Sequence, residues 1–343
     1  MTPHPIRRTL KRGALVAAAN WPLVLIQFVA DTSFKTLLAV PVVGGALLVG
    51  AAAGGDLREL MAGDLQRTVG ATIDALAATP VALAAFLAAF AVVLVGGSVL
   101  MFLVKGGTAS VLAAAERGAG PLEQPPLRLD AVARAARFGI DRFLDGAGRL
   151  SRRYVTLGSI LLVVYALIGG LYLAVVLGAY RAPERGGVLL AWTLLTVAAT
   201  AVILLVIAAV NLVYLLVQIV MAADDCGLRA GARRAVRLLR DEPGTVAGVF
   251  GVVFALVVLG TIASVLAAAG LGLIAFVPFV GFVVFPLQIA AWLLRGVLFQ
   301  YLGLTALGAY LALYRARQLR ADMGPARSAE PSDAAPFPRG RTA

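Results

Sequence analysis

The chain contains one cysteine, Cys226, and one histidine, His4. A single cysteine cannot form an intrachain disulfide, and one cysteine with one histidine is too few for a Cys/His zinc site. Because His4 lies in a polar N-terminal stretch, these two counts also argue against a haem site and against Cys/His catalysis. We find no acyl-transfer, phosphate-loop or zinc motif in the sequence. These absences predict a protein without metal or cofactor, and they argue against an enzyme.

Charged residues are also scarce, at 14% of the 343 residues, whereas hydrophobic residues make up 61%. Soluble domains carry about a quarter charged residues. Residues 243–294 contain no charge at all, and a helical crossing of a bilayer requires only about 20 apolar residues. The composition therefore predicts a polytopic membrane protein. The small number of lysines relative to arginines, with abundant Ala and Gly, indicates a bacterial source.

Six apolar runs are long enough to span a membrane. They cover residues 36–55, 81–104, 154–180 and 188–221, followed by two spans within 243–314. A further apolar run, 14–30, is interrupted by Trp21 and Pro22, and we expect it to stay on one side of the membrane. The loops and termini then place 25 of the 30 Lys and Arg residues on one side, four on the other and Arg295 within the membrane. The positive-inside rule puts both termini in the cytoplasm, at the bacterial inner membrane. A crossing by residues 14–30 would weaken this bias.

Two polar segments show the pattern of a basic amphipathic helix. One lies within the longest polar segment, residues 105–153, and the other covers residues 227–240. Such helices lie in the headgroup plane with arginines towards anionic lipid. The arginines expected to contact lipid are Arg134, Arg137, Arg149, Arg229, Arg233, Arg237 and Arg240. A role limited to anchoring the topology remains an alternative.

The fold class predicted from these patterns is all-α, with six transmembrane helices arranged as three hairpins. Each hairpin is preceded by a basic interfacial helix, which divides the six-helix domain (1–320) into units of about 1–104, 105–221 and 222–320. Residues 321–343 read as a disordered cytoplasmic tail.

One stretch, residues 227–240 (GLRAGARRAVRLLR), runs into an apolar helix, and another, 304–317 (LTALGAYLALYRAR), ends a span with an aromatic residue and arginines. In these features the chain resembles six-span bacterial integral-membrane families related to the membrane domain of some glycerophosphoryl diester phosphodiesterases. The resemblance covers most of residues 105–320. It implies the architecture and no activity.

Arg295 is the only charge well inside a predicted span. Placing an ionisable residue at that depth costs free energy, so such a residue is a candidate for a functional site. Asn211 and Gln218 lie seven residues apart, on one face of the fourth span, and Gln288 and Gln300 are near Arg295 in the sequence. These five residues are the predicted polar site. The alternative is that Arg295 extends outwards to the headgroups.

Three smaller features have local explanations. Asp31 and Lys35 are spaced for an ion pair on one helix face. Asp224 and Asp225 fit the start of the helix over 227–240, because aspartate favours the N-cap position. The outer connection, residues 271–286, is read either as a re-entrant segment or as the ordinary ends of two long helices.

We therefore expect a non-enzymatic membrane protein that organises lipids or a partner protein, with the anionic class as the expected lipid; a second copy of the chain is also left open as a partner. The alternative is a transporter or permease for a hydrophobic or anionic solute, with Arg295 in its pathway. An enzyme would require clustered acids at the cytoplasmic mouth. We do not expect nucleic-acid binding, because the basic residues are spread over every predicted cytoplasmic segment and aromatic residues are not interleaved with them.

Overall fold

A computed structural model of the chain describes residues 5–52, 80–123, 129–180, 188–275 and 280–322. Within these ranges the chain is helical apart from short connections, and it has no strand. In chain order the helices are α1 (Pro5–Ala19), α2 (Trp21–Ala52), α3 (Pro80–Gly118), α4 (Leu129–Ala135), α5 (Ile140–Tyr180), α6 (Val188–Asp224), α7 (Leu228–Asp241), α8 (Pro243–Ala275) and α9 (Val280–Asp322).

Six of the described helices, α2, α3, α5, α6, α8 and α9, are long and apolar enough to cross a membrane. The all-α, six-span prediction is confirmed. The two spans of each predicted hairpin contact each other, but α1 packs more extensively against α9, and α3 against α5, than the members of any predicted hairpin do. The division into three hairpin units therefore stays a prediction. The predicted tail lies outside the described residues from 323 onwards.

The first span begins earlier than predicted. A turn at Asn20 divides the apolar run 14–30 between α1 and α2, and the apolar window of α2 covers Trp21–Pro41. Pro22 does not interrupt the helix, because it lies in the first turn, where backbone N–H groups have no intrahelical acceptor. The predicted start at residue 36 is therefore wrong.

The outer connection is mostly helical in the described residues. Helix α8 continues to Ala275 and α9 begins at Val280, so only residues 276–279 of the connection lie outside the described part. This arrangement corresponds to the ordinary ends of two long helices.

The buried core lies at one end of the bundle, which we call the polar end. It is formed by α1, the start of α2, the C-terminal parts of α3, α6 and α9 and the N-terminal parts of α5 and α8, with residues of α4 and α7 added. Over half of the apolar window of α9 is buried (56%), against 17% or less in the other five spans. Helix α9 is thus the central span, and the remaining spans leave much of their apolar surface for lipid.

Helix α3 extends well beyond its predicted end at residue 104. The expected polar segment begins instead with four turns of helix, in which residues 106–113 are buried. Small side chains permit this close packing against α5: a Cβ at Gly107 would lie 2.7 Å from the Phe143 ring. The prediction failed because small residues such as Gly, Thr and Ser raise the polarity of a stretch without preventing its burial.

The amphipathic helix predicted within residues 105–153 is two separate elements. Helix α4 ends at Ala135, and α5 starts at Ile140 and continues without a break into its span. The break is stabilised by Asn20, whose Oδ1 accepts hydrogen bonds from the backbone N–H groups of Arg137 and Phe138, each at 2.9 Å. Helix α7 does form where a basic helix was predicted, with Gly231, Ala235 and Leu238 buried.

Candidate functional site

Arg295 lies on the exposed surface of α9. Its guanidinium carbon is 5.6 Å from the centroid of the Phe299 ring, one turn further along the same helix. The contact is therefore a cation–π pair within one helix rather than a polar pocket between helices.

The four polar residues expected beside Arg295 have other surroundings. Asn211 accepts a hydrogen bond from the Tyr165 hydroxyl at 2.6 Å. Gln218 is buried, and its backbone carbonyl accepts a hydrogen bond from Tyr154 at 2.8 Å. Gln288 and Gln300 are half-buried on α9. None of the clefts described below is lined by any of these residues or by Arg295.

We expect Arg295→Leu to change the free energy of unfolding by less than about 1 kcal/mol, because an exposed cation–π pair is worth roughly 0.5–1 kcal/mol. Thermal unfolding of the detergent-solubilised full chain measures the change. Arg12→Leu is the positive control, because it leaves the buried carboxylate of Glu116 without its cation. A loss with Arg295→Leu as large as that of the control would mean that Arg295 has a buried partner.

A different cation is enclosed near the core. Lys105 of α3 packs over the Tyr214 ring of α6, with its Nζ 5.3 Å from the ring centroid. The Tyr214 hydroxyl and the Gln218 side-chain nitrogen are buried without a hydrogen-bond partner in the described residues. Lys105 was missed as a site residue because it stands at the edge of an apolar run, where a cation is expected to face water.

The Asp31–Lys35 ion pair is present, with 2.6 Å between Lys35 Nζ and Asp31 Oδ2. The predicted capping role of the two later aspartates is wrong. The N-cap of α7 is Gly227, and no side chain caps it. The two aspartates pair with arginines instead: Asp224 with Arg234 in the middle of α7, and Asp225 with arginines of α5 that lie more than 70 positions away.

Asp224 instead joins three helices. It accepts hydrogen bonds from Arg234 of α7 and from the Tyr314 hydroxyl of α9, and a third at 2.9 Å from the side-chain amide of Gln318. The hydrogen bond to Asp224 raises the pKa of Arg234. Asp225 has a positive φ of 49°.

Asp225 also accounts for one of the predicted lipid contacts. Its carboxylate pairs with Arg149 at 3.1 Å and with Arg153 at 2.6 Å. The Arg149 guanidinium is therefore already in an ion pair within the protein. The other predicted lipid-contacting arginines are exposed, namely Arg134, Arg137, Arg229, Arg233, Arg237 and Arg240.

The polar end contains a cleft of about 830 Å³ between α1, the end of α3, the start of α8 and the end of α9, which we call the charged cleft. Its arginines are Arg8, Arg12, Arg117, Arg315 and Arg320. Its glutamates are Glu116, Glu123 and Glu242. Arginines thus outnumber acids, and the cleft favours anions.

Arg12 is the centre of the ion pairs in the charged cleft. Its guanidinium contacts Glu116 at 2.6 Å and Glu123 at 2.9 Å. Burial alone would lower the pKa of Arg12, but the two carboxylates outweigh burial and raise it. Burial alone would raise the pKa of Glu123, but hydrogen bonds from its own backbone and from Arg12 and Arg8 lower it. Both groups are therefore charged at neutral pH.

Each of the three glutamates is paired with an arginine. Besides the Arg12 contacts, Arg8 contacts Glu123 and Arg320 contacts Glu242, both at 2.9 Å. In the described residues no group of His, Cys, Asp and Glu is arranged to hold a metal ion. The acids do lie at one mouth of the bundle, but their arginine partners hold them in structural ion pairs.

The opposite face of α1 borders a second cleft of about 650 Å³, which we call the apolar groove. Its walls are apolar side chains of α1, α8 and α9, among them Leu10, Leu256 and Leu302. The aliphatic parts of two basic residues, Arg7 and Lys11, also line it, since its surface is almost entirely apolar. Helix α1 thus separates the charged cleft from the apolar groove. Each residue of a helix is rotated by about 100° from the one before it, so residues 8 and 12 lie on one face and residues 6, 10 and 14 on the opposite face.

Sequence reasoning did not identify either cleft, because their walls come from residues separated by more than 100 positions, such as Arg12 and Glu116. Comparison with known protein families, curated proteins and solved structures found no match to this chain.

Proposed function

We propose that this protein is a non-enzymatic integral membrane protein that binds and organises anionic phospholipids at its polar end. The observation that carries the proposal is the apolar groove with Arg7 and Lys11 along it. An acyl chain matches the apolar walls, and a lipid phosphate matches the two cations.

Neither cation of the groove forms an ion pair with an acid of the described residues. Lys11 donates one hydrogen bond to the Glu123 backbone carbonyl at 3.2 Å, and Arg7 has no acid partner among the described residues. An anionic headgroup would supply the missing negative charge, and a zwitterionic one would supply less. We therefore propose that the ligand is an anionic phospholipid with one acyl chain in the groove.

The exposed arginines of α7 support the same function. Arg229, Arg237 and Arg240 have no carboxylate partner in the part of the chain that the structure describes. Membrane topology alone would account for basic residues on this helix. They therefore add to the proposal but do not carry it.

Several finer aspects belong to the same proposal. The polar end faces the cytoplasm, with both termini on that side, in the inner membrane of a bacterium. The basis is the positive-inside bias and the composition. The relation to the membrane domain of glycerophosphoryl diester phosphodiesterases stays a prediction, and so does a protein partner or a second copy of the chain.

Transport of a hydrophobic or anionic solute past Arg295 was the alternative. The contacts of Arg295 do not favour it, because the side chain faces outwards beside Phe299. Solute flux into reconstituted vesicles that disappears with Arg295→Ala would restore that alternative.

We expect the purified full chain to retain phosphatidylglycerol over phosphatidylcholine when both are supplied in equal amounts and native mass spectrometry counts the bound lipids. Val252→Trp should fill the groove and reduce retention of both lipids. Replacing Arg7 and Lys11 together by Gln should reduce the preference for phosphatidylglycerol about 10–30-fold, because each cation near an anionic lipid contributes about 1 kcal/mol.

Leu259→Trp is the matched control for groove filling, since Leu259 is exposed on α8 and does not line the groove. It should bind lipid as the unmodified chain does. Equal retention by the Val252→Trp and Leu259→Trp proteins would reject the groove as the lipid site.

A further inference from the structure

Two arginines of the charged cleft form no ion pair with an acid of the described residues. Arg8, Arg12 and Arg320 are each in an ion pair. Arg117 and Arg315 line the same cleft, yet no carboxylate of the described residues lies within salt-bridge distance of either one. Guanidinium groups without an ion pair are suited to binding an anion. Phosphate is especially suitable, because one guanidinium can donate to two of its oxygens.

The cleft also contains a carboxylate with an unused oxygen. Glu116 is only 5% exposed. Its Oε1 accepts a hydrogen bond from Arg12 at 2.6 Å, whereas its Oε2 is buried and has no hydrogen-bond donor in the described residues. A buried acceptor without a donor is unfavourable. Burial raises the pKa of Glu116, and a ligand that satisfies the ionised form of this carboxylate must bring an O–H or N–H group.

The two arginines require a ligand with negative charge, whereas Glu116 requires a ligand with a hydrogen-bond donor. Few ligands have both. We infer that the charged cleft binds a phosphate group that carries its own hydrogen-bond donor, with its oxygens on Arg117 and Arg315 and its donor directed to Glu116 Oε2. Hydrogen phosphate meets both demands through its P–OH group. A phosphorylated alcohol with a free hydroxyl, either in solution or as a lipid headgroup, has the same chemistry.

Sulfate provides the discriminating comparison. At neutral pH it has the shape and charge of hydrogen phosphate but no proton to donate, so its oxygens would face the Glu116 carboxylate with no hydrogen bond between them. The cleft should therefore reject sulfate. An ordinary cluster of arginines would bind the two ions alike.

This site lies on the other face of α1 from the apolar groove and does not depend on lipid retention there. A cleft of about 830 Å³ has room for more than the anion alone. The phosphate group could therefore come from solution or from a phospholipid headgroup, and the experiment separates the two sources.

The test is isothermal titration of the full chain in detergent at pH 7 with sodium phosphate and, separately, sodium sulfate. We expect phosphate to bind at least about tenfold more tightly than sulfate, since one hydrogen bond to a charged group separates them. Arg117→Gln and Arg315→Gln should each weaken phosphate binding about tenfold for the same reason. Arg233→Gln is the matched control, an exposed arginine outside the cleft, and should bind phosphate normally.

Glu116→Gln should reduce the preference for phosphate over sulfate, because a side-chain amide can donate to sulfate. If that variant does not fold, the two arginine variants still test the site. Competition by short-chain phosphatidylglycerol, but not by phosphatidylcholine, would assign the phosphate to a headgroup, and its absence would assign it to a soluble ligand. The inference is overturned if phosphate does not bind, if sulfate binds equally well, or if Arg233→Gln weakens binding as much as the cleft variants do.

Discussion

Gly13→Ala should detach α1 from α9. The two helices cross so closely that a Cβ at position 13 would overlap the Thr305 backbone carbonyl and lie 2.5 Å from the Ala309 backbone nitrogen. Backbone atoms inside α9 cannot move aside as a flexible side chain would. We expect a loss of about 3 kcal/mol in the free energy of unfolding, the upper end of the usual range for overpacking.

Two measurements on the detergent-solubilised full chain report this loss. The thermal midpoint should fall, and trypsin should cleave α1 faster, because Arg12 would leave its acids. Gly303→Ala is the matched control on α9, since a Cβ there meets no atom within 4 Å. It should be neutral or slightly stabilising, because alanine favours helix by roughly 1 kcal/mol over glycine. Normal stability and trypsin resistance in Gly13→Ala would contradict the docking of α1.

Asn20→Leu should unfold the connection between the first two helices and the α4–α5 break. The Asn20 side chain is fully buried and makes four hydrogen bonds. Its amide donates to Val16 and Ala135, and its oxygen accepts from Arg137 and Phe138. Four is the complete hydrogen-bonding capacity of an asparagine side chain.

Leucine has a similar size but leaves the backbone groups of Ala135, Arg137 and Phe138 without this partner. Each such group costs about 1–3 kcal/mol when buried, and we expect a total loss of roughly 3–5 kcal/mol. Asn211→Leu is the control, because Asn211 is exposed and accepts one hydrogen bond from Tyr165. Thermal midpoints of the two variants that agree within error would show that Asn20 does not join these segments.

The features that the sequence predicted correctly are local. Six apolar runs identify six spans because the bilayer imposes the same length on each one independently of its neighbours. The Asp31–Lys35 pair and helix α7 follow from spacings of a few residues along one helix. Each of these inferences requires only the residues that form the feature.

The features that it missed depend on contacts between distant segments. Arg12 meets Glu116 at a separation of 104 residues, and Asn20 meets Ala135 at 115. For Arg295 the sequence left both a polar pocket and an outward direction open, because a span that is apolar on all sides does not indicate which face meets its neighbours. The close packing of α3 was not recognised because its small residues (Gly, Thr and Ser) make this stretch of the sequence more polar.

The docking of α1 against α9 has a consequence for the biosynthesis of the chain. The Tyr301 hydroxyl donates to the Ala14 carbonyl across 287 positions, so the partners at this contact are translated at nearly opposite ends of the described chain. Helix α1 leaves the ribosome long before α9, which carries the surface on which Gly13 packs. The polar end can therefore close only after α9 has been inserted, and until then the walls of the charged cleft remain apart.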